Sequence, residues 1–221
     1  MNKNISLISD FDGTISKKDF FYMVIDSLLK ENLNALNPWK DYLAGKITHI
    51  DALSGIFSQI HLSQRDLDKF IATIEIDNWF YDVVQFCKDK KIPFYICSAG
   101  TNYYIKKRIY DILEKYDIIL ISNDATYSQE EGMKLIAPKK DVPYYDFNTG
   151  ISKQAIVNKL KEDGYLTIFA GDGIPDLKSA QCADVVFAKD KLLELCKEKN
   201  IKTEKFENFS NILNYIKDFY K

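Results

Sequence analysis

Two aspartates, Asp10 and Asp12, stand two residues apart after a short apolar run and are followed by Gly13. The run, Ile5-Ser6-Leu7-Ile8-Ser9, is typical of a buried strand that ends in a turn. Glycine permits the backbone to curl there, so both carboxylates can approach one point. At an effective dielectric near 20, two carboxylates about 4 Å apart repel by roughly 4 kcal/mol. Such a pair favours a proton or a cation between its members, and we expect the chemistry of the chain at this point.

Other polar or small residues follow later apolar runs or begin a helix, and they are Ser98, Ala99, Gly100, Lys153, Asp172 and Asp176. Carboxylates without a nearby histidine or thiol are hard oxygen ligands, which favour Mg²⁺. A serine hydroxyl, the two amides after it and a helix N-terminus together suit a phosphate group. The residue types therefore predict a site for a divalent cation and a phosphate.

The order of the elements predicts a fold that can bring these residues together. Apolar runs near 5–9, 92–97, 118–121, 167–170 and 185–187 alternate with helical patterns, which predicts a doubly wound parallel sheet covered on both faces. Ligands bind outside the carboxyl ends of the strands in such sheets. Residues 123–150 are irregular in pattern, with turn residues that allow a hairpin.

The segment 16–81 has a different character, because its patterns are all helical. We expect helices over about 18–30, from Thr48 and from Ser63, with Asn37-Pro38 interrupting the chain between the first two. This predicts a helical cap, 16–81, inserted into a catalytic core made of 1–15 and 82–221. The aromatic residues Trp39, Tyr42 and Phe57 are expected in the core of this cap, and His49 and His61 are not expected to be ligands.

Composition limits the classes of function. The 221 residues are 46% hydrophobic, enough for a sizeable core, and the formal net charge of −2 gives no argument for nucleic acid or an anionic membrane. Only Arg65 and Arg108 are arginine, so lysine must supply most positive charge. The four cysteines form no CxxC pair, and neither a signal-peptide pattern nor a run of ~18 apolar residues occurs. We expect a cytoplasmic protein with reduced thiols, monomeric or homodimeric.

The polar residues resemble a known set of motifs. Asp10-Phe11-Asp12-Gly13-Thr14, Ser98, Lys153 and Gly171-Asp172-Gly173-Ile174-Pro175-Asp176 are similar, in order and spacing, to the four motifs of the haloacid dehalogenase-like phosphatases. The resemblance covers roughly 1–15 and 82–200.

This resemblance implies a two-step phosphoryl transfer from a small phosphorylated metabolite. Asp10 would form an aspartyl-phosphate, and Asp12 would protonate the leaving alcohol and then deprotonate water. Mg²⁺ would be held by the Asp10 carboxylate, the Asp12 backbone carbonyl and Asp172, with Asp176 either a further ligand or a helix N-terminal carboxylate. The phosphoryl oxygens would be bound by Ser98, the Ala99 and Gly100 amides and Lys153, while Gly13 and Thr14 would shape the turn.

The helical insertion between the first two motifs resembles the phosphoserine phosphatase-like branch. Within it, the chain is similar to the 2-hydroxy-3-keto-5-methylthiopentenyl-1-phosphate phosphatases of methionine salvage in residues 94–98, in the Asp172 motif and in residues 186–193. It lacks a cysteine-rich segment before Lys153 that this group has.

Three alternatives stay open. Phosphoserine phosphatases resemble the chain too, and Asp19 could supply an acidic residue that follows their first motif, but they have serine at the place of Gly13 and a cap arginine that 52–55 lacks. A phosphotransferase or mutase would share the motif order. A non-catalytic protein that binds a phosphorylated metabolite would be the alternative outside enzymes.

Overall fold

The computed structural model describes residues 4–220, and its centre is a seven-stranded sheet in the order β4-β3-β2-β1-β7-β8-β9. The strands of this sheet are β1 (Ile5–Ser9), β2 (Phe94–Thr101), β3 (Ile119–Ser128), β4 (Gly132–Ile136), β7 (Leu166–Gly171), β8 (Val185–Ala188) and β9 (Glu204–Lys205), and a separate pair is formed by β5 (Tyr145–Asp146) and β6 (Gly150–Ile151). All neighbours in the large sheet are parallel except β3 and β4. The predicted doubly wound parallel sheet is confirmed.

Helices cover the sheet and fill the segment after β1. Five of them lie between β1 and β2 in the chain: α1 (Phe20–Ser27), α2 (Asn37–Leu43), α3 (His49–Phe57), α4 (Gln64–Ala72) and α5 (Phe80–Lys90). The remainder are α6 (Asn102–Lys115), α7 (Lys153–Glu162), α8 (Leu177–Cys182), α9 (Asp190–Glu198) and α10 (Phe209–Asp218), with a 3₁₀ turn over Ile174–Asp176. Among residues 4–220, no helix is both long and apolar enough to span a bilayer.

The central strand β1 is buried along its whole length because β2 and β7 flank it and helices cover both faces. Leu7 belongs to the larger apolar cluster, which includes Phe80 and Phe209, whereas Ile8 packs in a second cluster with Val157. Alternate side chains of one strand therefore enter cores on opposite faces of the sheet, which explains a continuous apolar run with no polar face.

One prediction about the cap segment is wrong. Asn37-Pro38 does not interrupt the helical block but begins α2, with Pro38 in its first turn. Proline has no amide hydrogen, and the first turn of a helix does not need that donor, so proline suits this position. The predicted helix starts are confirmed, since Thr48 and Ser63 each accept a backbone amide at the starts of α3 and α4.

The irregular segment 123–150 contains the hairpin that the sequence allowed. Strands β3 and β4 pair antiparallel from Asp124 to Ser128, and β4 lies against α3. The Leu135 amide donates to Ser54 Oγ at 3.1 Å, and the carbonyl of Gln129 lies 2.9 Å from His61 Nδ1. A segment of the core thus holds the inserted helices at a set position over the sheet.

All four cysteines are free thiols, as expected. Cys87, Cys97 and Cys196 are buried, whereas Cys182 is only half-buried and accepts a hydrogen bond from the Gln154 side chain.

The turn of the hairpin gives a test of how tightly it packs on α3. Gly132 has φ +70°, and a Cβ there would lie 2.1 Å from the carbonyl oxygen of Ser58. Gly45, just after α2, has φ +72° with no atom within 4 Å of a Cβ. We expect Gly45→Ala to lower the free energy of unfolding by about 1 kcal/mol through backbone strain alone. Gly132→Ala should cost roughly 2 kcal/mol more, because overpacking adds to the same strain.

Denaturant unfolding of the two variants and the parent measures this difference. Equal losses for Gly132→Ala and Gly45→Ala would show that the hairpin yields without cost and does not hold α3 in place.

Candidate active site

The turn after β1 lies at the carboxyl edge of the sheet, between the ends of β2 and β7. The Asp10 amide donates to the carbonyl of Ala170 at 2.9 Å, which ties the first residue of the turn to β7. Gly13 has φ +71°, and a Cβ there would lie 2.4 Å from Asp172 Oδ2. Only glycine therefore fits at this position, and it lets the turn approach the Asp172 carboxylate. The Thr14 hydroxyl donates to Asp172 Oδ1 at 2.9 Å and braces the same contact.

Lys153, the first residue of α7, is buried between two carboxylates. Its Nζ lies 2.7 Å from Asp10 Oδ1 and 2.6 Å from Asp176 Oδ1. The other oxygen of Asp176 accepts the backbone amides of Asp172 at 3.1 Å and Gly173 at 3.0 Å. Because both of its oxygens are occupied, Asp176 holds Lys153 and the Asp172 loop in place.

The site carries more negative than positive charge. Burial raises the pKa of Asp10 well above its usual value, and Asp176, Asp172 and Asp12 raise it further against the opposing effect of Lys153. Burial, followed by repulsion from Asp176, raises the pKa of Asp172 to about 7. Burial alone would lower the pKa of Lys153, but the two ionic contacts outweigh it and raise that pKa. The ammonium of Lys153 thus faces the carboxyl groups of Asp10, Asp12, Asp172 and Asp176, and it cannot neutralise all four.

The donors at this point fit a divalent cation. Carboxylate oxygens of Asp10, Asp172 and Asp176 lie within 4.8 Å of one another. They are hard oxygen ligands of the kind that Mg²⁺ takes, and a cation between them would relieve the repulsion that helps to raise the pKa values of Asp10 and Asp172. Asp10 and Asp172 have oxygens that Lys153 and the backbone do not occupy, so these two side chains have the most capacity to bind it.

The irregular end of β2, here called the Ser98 loop, carries Ser98, Ala99 and Gly100. We expected the strand to stop before them, but β2 continues to Thr101 through an irregularity in its pairing with β3. Such a bulge re-aims side chains at the rim of a sheet. Ser98 Oγ donates to Asp12 Oδ2 at 3.3 Å and accepts the Gly100 amide at 3.0 Å.

Asn123 supports this loop, although no sequence pattern marks it as a site residue. Its Nδ2 donates to the carbonyl of Ala99 at 2.8 Å and to that of Thr149 at 2.9 Å. Asn123 follows an apolar run and precedes an irregular segment, where an asparagine is usual in a turn. Only the pairing of β3 with β2 shows that its side chain is buried against the loop.

Asp12 is held at both carboxylate oxygens. Oδ1 accepts the Phe20 amide at 3.2 Å, and Oδ2 accepts the hydroxyl of Tyr104 in a short hydrogen bond. The ring of Tyr104 stacks on Phe20, with centroids 4.2 Å apart. Burial raises the pKa of Asp12, and the hydrogen bond from Tyr104 opposes this shift. Tyr104 was also missed by sequence reasoning, because it lies on the buried face of α6 beside Ile105 and is typical of a core residue there.

A cavity of about 440 Å³ lies over these groups, between the sheet edge and helices α1 to α3. Its floor includes Asp10, Asp12, Ser98, Lys153 and Asp172, and its wall on the inserted helices includes Phe21, Trp39, Tyr42, His49, Leu53 and Phe57. The carboxyl of Asp19, at the start of α1, also faces the cavity and accepts the Phe21 amide at 2.7 Å. The polar floor and the mostly aromatic wall divide the cavity into two chemically different halves.

The expectation that Trp39, Tyr42 and Phe57 lie in the core of the cap holds only in part. Trp39 and Tyr42 are half-buried on α2, a helix with no fully buried residue, and their rings line the cavity. Phe57 does both, since it is buried and also lines the cavity. Helical spacing indicates which side chains share a face, but not whether that face meets another helix or a site.

The comparisons with known proteins agree with this geometry. A 2-hydroxy-3-keto-5-methylthiopentenyl-1-phosphate phosphatase of Bacillus cereus is 27% identical over 216 residues, 97% of this chain and 96% of that protein. A phosphatase of the same name from Lysinibacillus sphaericus is 26% identical over 220 residues, 96% of this chain and 93% of that protein. The chain matches no protein-family model.

Two solved structures show the same fold. A substrate-bound phosphoserine phosphatase superposes with a TM-score of 0.67 at 20% identity, covering 96% of this chain and 99% of that one. A haloacid dehalogenase family hydrolase from Salmonella enterica gives 0.69 at 14% identity, covering 96% of this chain and 70% of that one. The chain therefore has the haloacid dehalogenase-like fold.

Among residues 4–220, no arginine lines the cavity. Arg65 is exposed on α4, and Arg108 Nε donates to the backbone carbonyl of Ile74. The lysines at the cavity edge are already paired, Lys17 with Glu75 at 3.3 Å, Lys18 with Asp26 at 2.7 Å and Lys191 with Glu194 at 2.7 Å. The wall therefore offers little positive charge to a substrate carboxylate.

The raised pKa of Asp172 predicts a pH-dependent effect of Mg²⁺ on stability. Between about pH 4 and 7 the folded metal-free protein binds more protons at Asp172 than the unfolded chain does, so this group lowers stability as pH rises. Mg²⁺ competes with that proton, because metal ligands must be deprotonated. Because the pKa of Asp172 is about 7, Mg²⁺ should bind roughly 30-fold more weakly at pH 5.5 than at a pH well above 7.

Thermal unfolding with Mg²⁺ and with chelator, at pH 5.5 and 8, measures this effect. The stabilisation by Mg²⁺ should be much larger at pH 8, and Asp172→Asn should remove most of the difference between the two pH values. Equal stabilisation at both would contradict a site that includes Asp172.

Proposed function

We propose that the chain is a Mg²⁺-dependent phosphatase that hydrolyses a small-molecule phosphomonoester through an aspartyl-phosphate. The observation that carries this proposal is the placement of Asp10 on the cavity floor. One of its oxygens is held by Lys153 at 2.7 Å, and its carboxylate lies within cation-binding distance of Asp172. A carboxylate so oriented, beside a positive charge and a cation site, suits attack on a phosphoryl group.

The two aspartates of the turn divide the reaction between them. The Asp10 oxygen that Lys153 does not hold attacks phosphorus, and the bond from phosphorus to the leaving oxygen breaks. Asp12 gives its proton to that oxygen, so the alcohol leaves neutral. Water then attacks the aspartyl-phosphate while Asp12 takes a proton from it, which releases inorganic phosphate and restores both carboxyl groups.

The remaining polar residues balance charge during these steps. Mg²⁺ would be held by the Asp10 carboxylate, the Asp12 carbonyl and Asp172, and when bound it neutralises charge on the phosphoryl oxygens. Lys153 and Ser98, with the Ala99 and Gly100 amides, bind the same oxygens. Asp176 keeps Lys153 in position, since its oxygens already contact Lys153 and two backbone amides.

For the substrate, we propose a compound related to 2-hydroxy-3-keto-5-methylthiopentenyl-1-phosphate, on which the near full-length relatives act by name. The aromatic and apolar wall around Trp39 and Phe57 suits an uncharged organic part of that kind. Phosphoserine is the second candidate, because solved neighbours are phosphoserine phosphatases and Asp19 faces the cavity. The lack of an arginine for its carboxylate disfavours phosphoserine.

Replacement of the nucleophile tests the proposal. We expect Asp10→Asn to lower Mg²⁺-dependent phosphate release by at least about 10³-fold, because the amide cannot form the acyl-phosphate. Asp111→Asn, at an exposed position on α6, is the matched control and should retain the parent rate. Phosphate release is followed from a panel of small phosphomonoesters, with and without chelator. Wild-type rates in Asp10→Asn would exclude this mechanism, and no release by the parent protein would favour the non-catalytic alternative.

Tyr104→Phe tests whether the short hydrogen bond positions Asp12 for proton transfer. The variant keeps the ring that stacks on Phe20 and removes only the hydroxyl. An alkyl phosphate needs a proton on its leaving oxygen, whereas a p-nitrophenyl phosphate does not. We expect kcat to fall about tenfold or more for the alkyl ester and much less for the aryl ester, within the usual contribution of general acid catalysis.

A parallel loss for both esters would instead show that the hydroxyl only stabilises the fold. Tyr103→Phe, whose hydroxyl donates to Gln64 at 3.0 Å outside the site, serves as the control.

A further inference from the structure

We propose that His49 is a specificity-determining residue, whose imidazole hydrogen-bonds a hydroxyl or carbonyl oxygen on an uncharged leaving group. The inference rests on the proposed phosphatase function and deepens it, because it names what the cavity wall recognises. In this proposal, the aromatic half of the cavity binds the organic part of the substrate. One polar atom in that half, on His49, binds a single substrate oxygen.

His49 is a polar side chain in an otherwise apolar wall. It is only 6% exposed, it lines the cavity, and its Nδ1 has no hydrogen-bond partner among the residues that the structure describes. A buried polar atom without a partner destabilises a fold, so such atoms are rare and call for an explanation. A leucine or phenylalanine would fill the same space without that cost. The reason for a histidine lies at the other ring nitrogen. Nδ1 has almost no accessible surface, so a substrate oxygen would meet the ring at Nε2, which is not closed off and makes no hydrogen bond among residues 4–220.

The ring of His49 is held in one orientation. Trp39 and Tyr42 contact it edge-on, with ring centroids 5.7 and 5.4 Å away. At the backbone, the His49 amide donates to Asn148 Oδ1 at 3.0 Å, and the next amide donates to the Asn148 carbonyl at 3.0 Å. Both aromatic neighbours also line the cavity. A polar group held in this way can select by position as well as by chemistry.

The imidazole is neutral at ordinary pH. Burial lowers the pKa of His49 to about 4, the positive charge of Lys153 lowers it too, and Asp146 only partly opposes them. A neutral ring offers one donor and one acceptor, so it can bind a hydroxyl or a carbonyl, but it brings no charge to bind a carboxylate.

The other charged groups near the wall favour the same class of ligand. Lys17, Lys18 and Lys191 are paired with exposed carboxylates, and Asp19 brings no positive charge to bind a substrate carboxylate. The phosphate on the floor is then the only charged part of the substrate that the cavity accommodates. The leaving group is an apolar chain that carries an oxygen within reach of His49.

A matched set of substrates tests this inference. We compare butyl phosphate with butyl phosphates that carry a hydroxyl or an oxo group on carbon 2 or 3, using Mg²⁺-dependent phosphate release. The parent protein should show a kcat/KM at least about tenfold higher for one oxygenated ester than for butyl phosphate, as expected when a site is built to hydrogen-bond a substrate oxygen. His49→Phe keeps the ring packing against Trp39 and Tyr42, and should reduce that ratio to near one.

Two further variants complete the test. His49→Gln retains a donor and an acceptor and should keep part of the preference for the oxygenated ester. His49→Ala should lose that preference. If His49→Phe fails to fold, His49→Ala takes its place in the test. His61→Leu, at the other histidine of the chain, should leave the ratio unchanged, because its ring contacts the Gln129 carbonyl outside the cavity.

The outcomes separate the inference from the function on which it rests. Phosphate release that is the same for all esters, or a ratio unchanged in His49→Phe and His49→Ala, would overturn the role of His49 and leave the phosphatase proposal standing. A ratio that also collapses in His61→Leu would overturn it too, since the preference would then follow the position of the cap. Absence of Mg²⁺-dependent release from every ester, p-nitrophenyl phosphate included, would overturn the proposed function itself.

Discussion

The ion pairs of one buried lysine hold this site together. Lys153 joins Asp10, from the turn after β1, to Asp176, from the loop after β7. Asp176 in turn accepts the amides that begin that loop, so three elements at the sheet edge meet through one ammonium. Removing one member of such a buried set leaves an uncompensated charge, which is strongly destabilising. The lysine offsets only part of the carboxylate charge, and the remainder is what makes the site suitable for a divalent cation.

A second chain of contacts connects the chemistry to the wall that faces the leaving group. The Ser98 loop is held by Asn123, and Asn123 also holds the carbonyl of Thr149. The neighbouring Asn148 accepts the backbone amide of His49 through its side chain. Core and inserted helices therefore share a continuous set of hydrogen bonds from the β2 loop to α3. The position of the wall over Asp10 is set by the core, which is a condition for selecting a leaving group by shape.

The sequence was sufficient for five of the parallel strands and for most helices, and it marked the motif residues as candidates, because each leaves a local mark. A buried parallel strand is a short apolar run, and the chemistry of Asp10, Lys153 or Asp172 requires particular residue types at particular spacings. Residues whose role depends on tertiary placement leave no such mark. Tyr104 shares a helical face with ordinary core residues, Asn123 resembles a turn residue, and Trp39 and His49 have the spacing of a helix core. Pro38 was misjudged for a related reason, since proline both breaks and begins helices and only the neighbouring structure decides which.

The two halves of the cavity solve different parts of the recognition problem. In the proposed phosphatase, the floor with its bound cation would recognise the phosphate that all phosphomonoesters share, so it would distinguish little among them. A wall with its own strong charge would compete with the floor for the dianionic phosphate and allow a substrate to bind in more than one register. A neutral wall of aromatic rings avoids that competition, and one hydrogen-bonding ring in it can still separate leaving groups that differ by a single oxygen. The neutrality of His49, which follows first from its burial and then from the charge of Lys153, is thus what allows discrimination beside a highly charged centre.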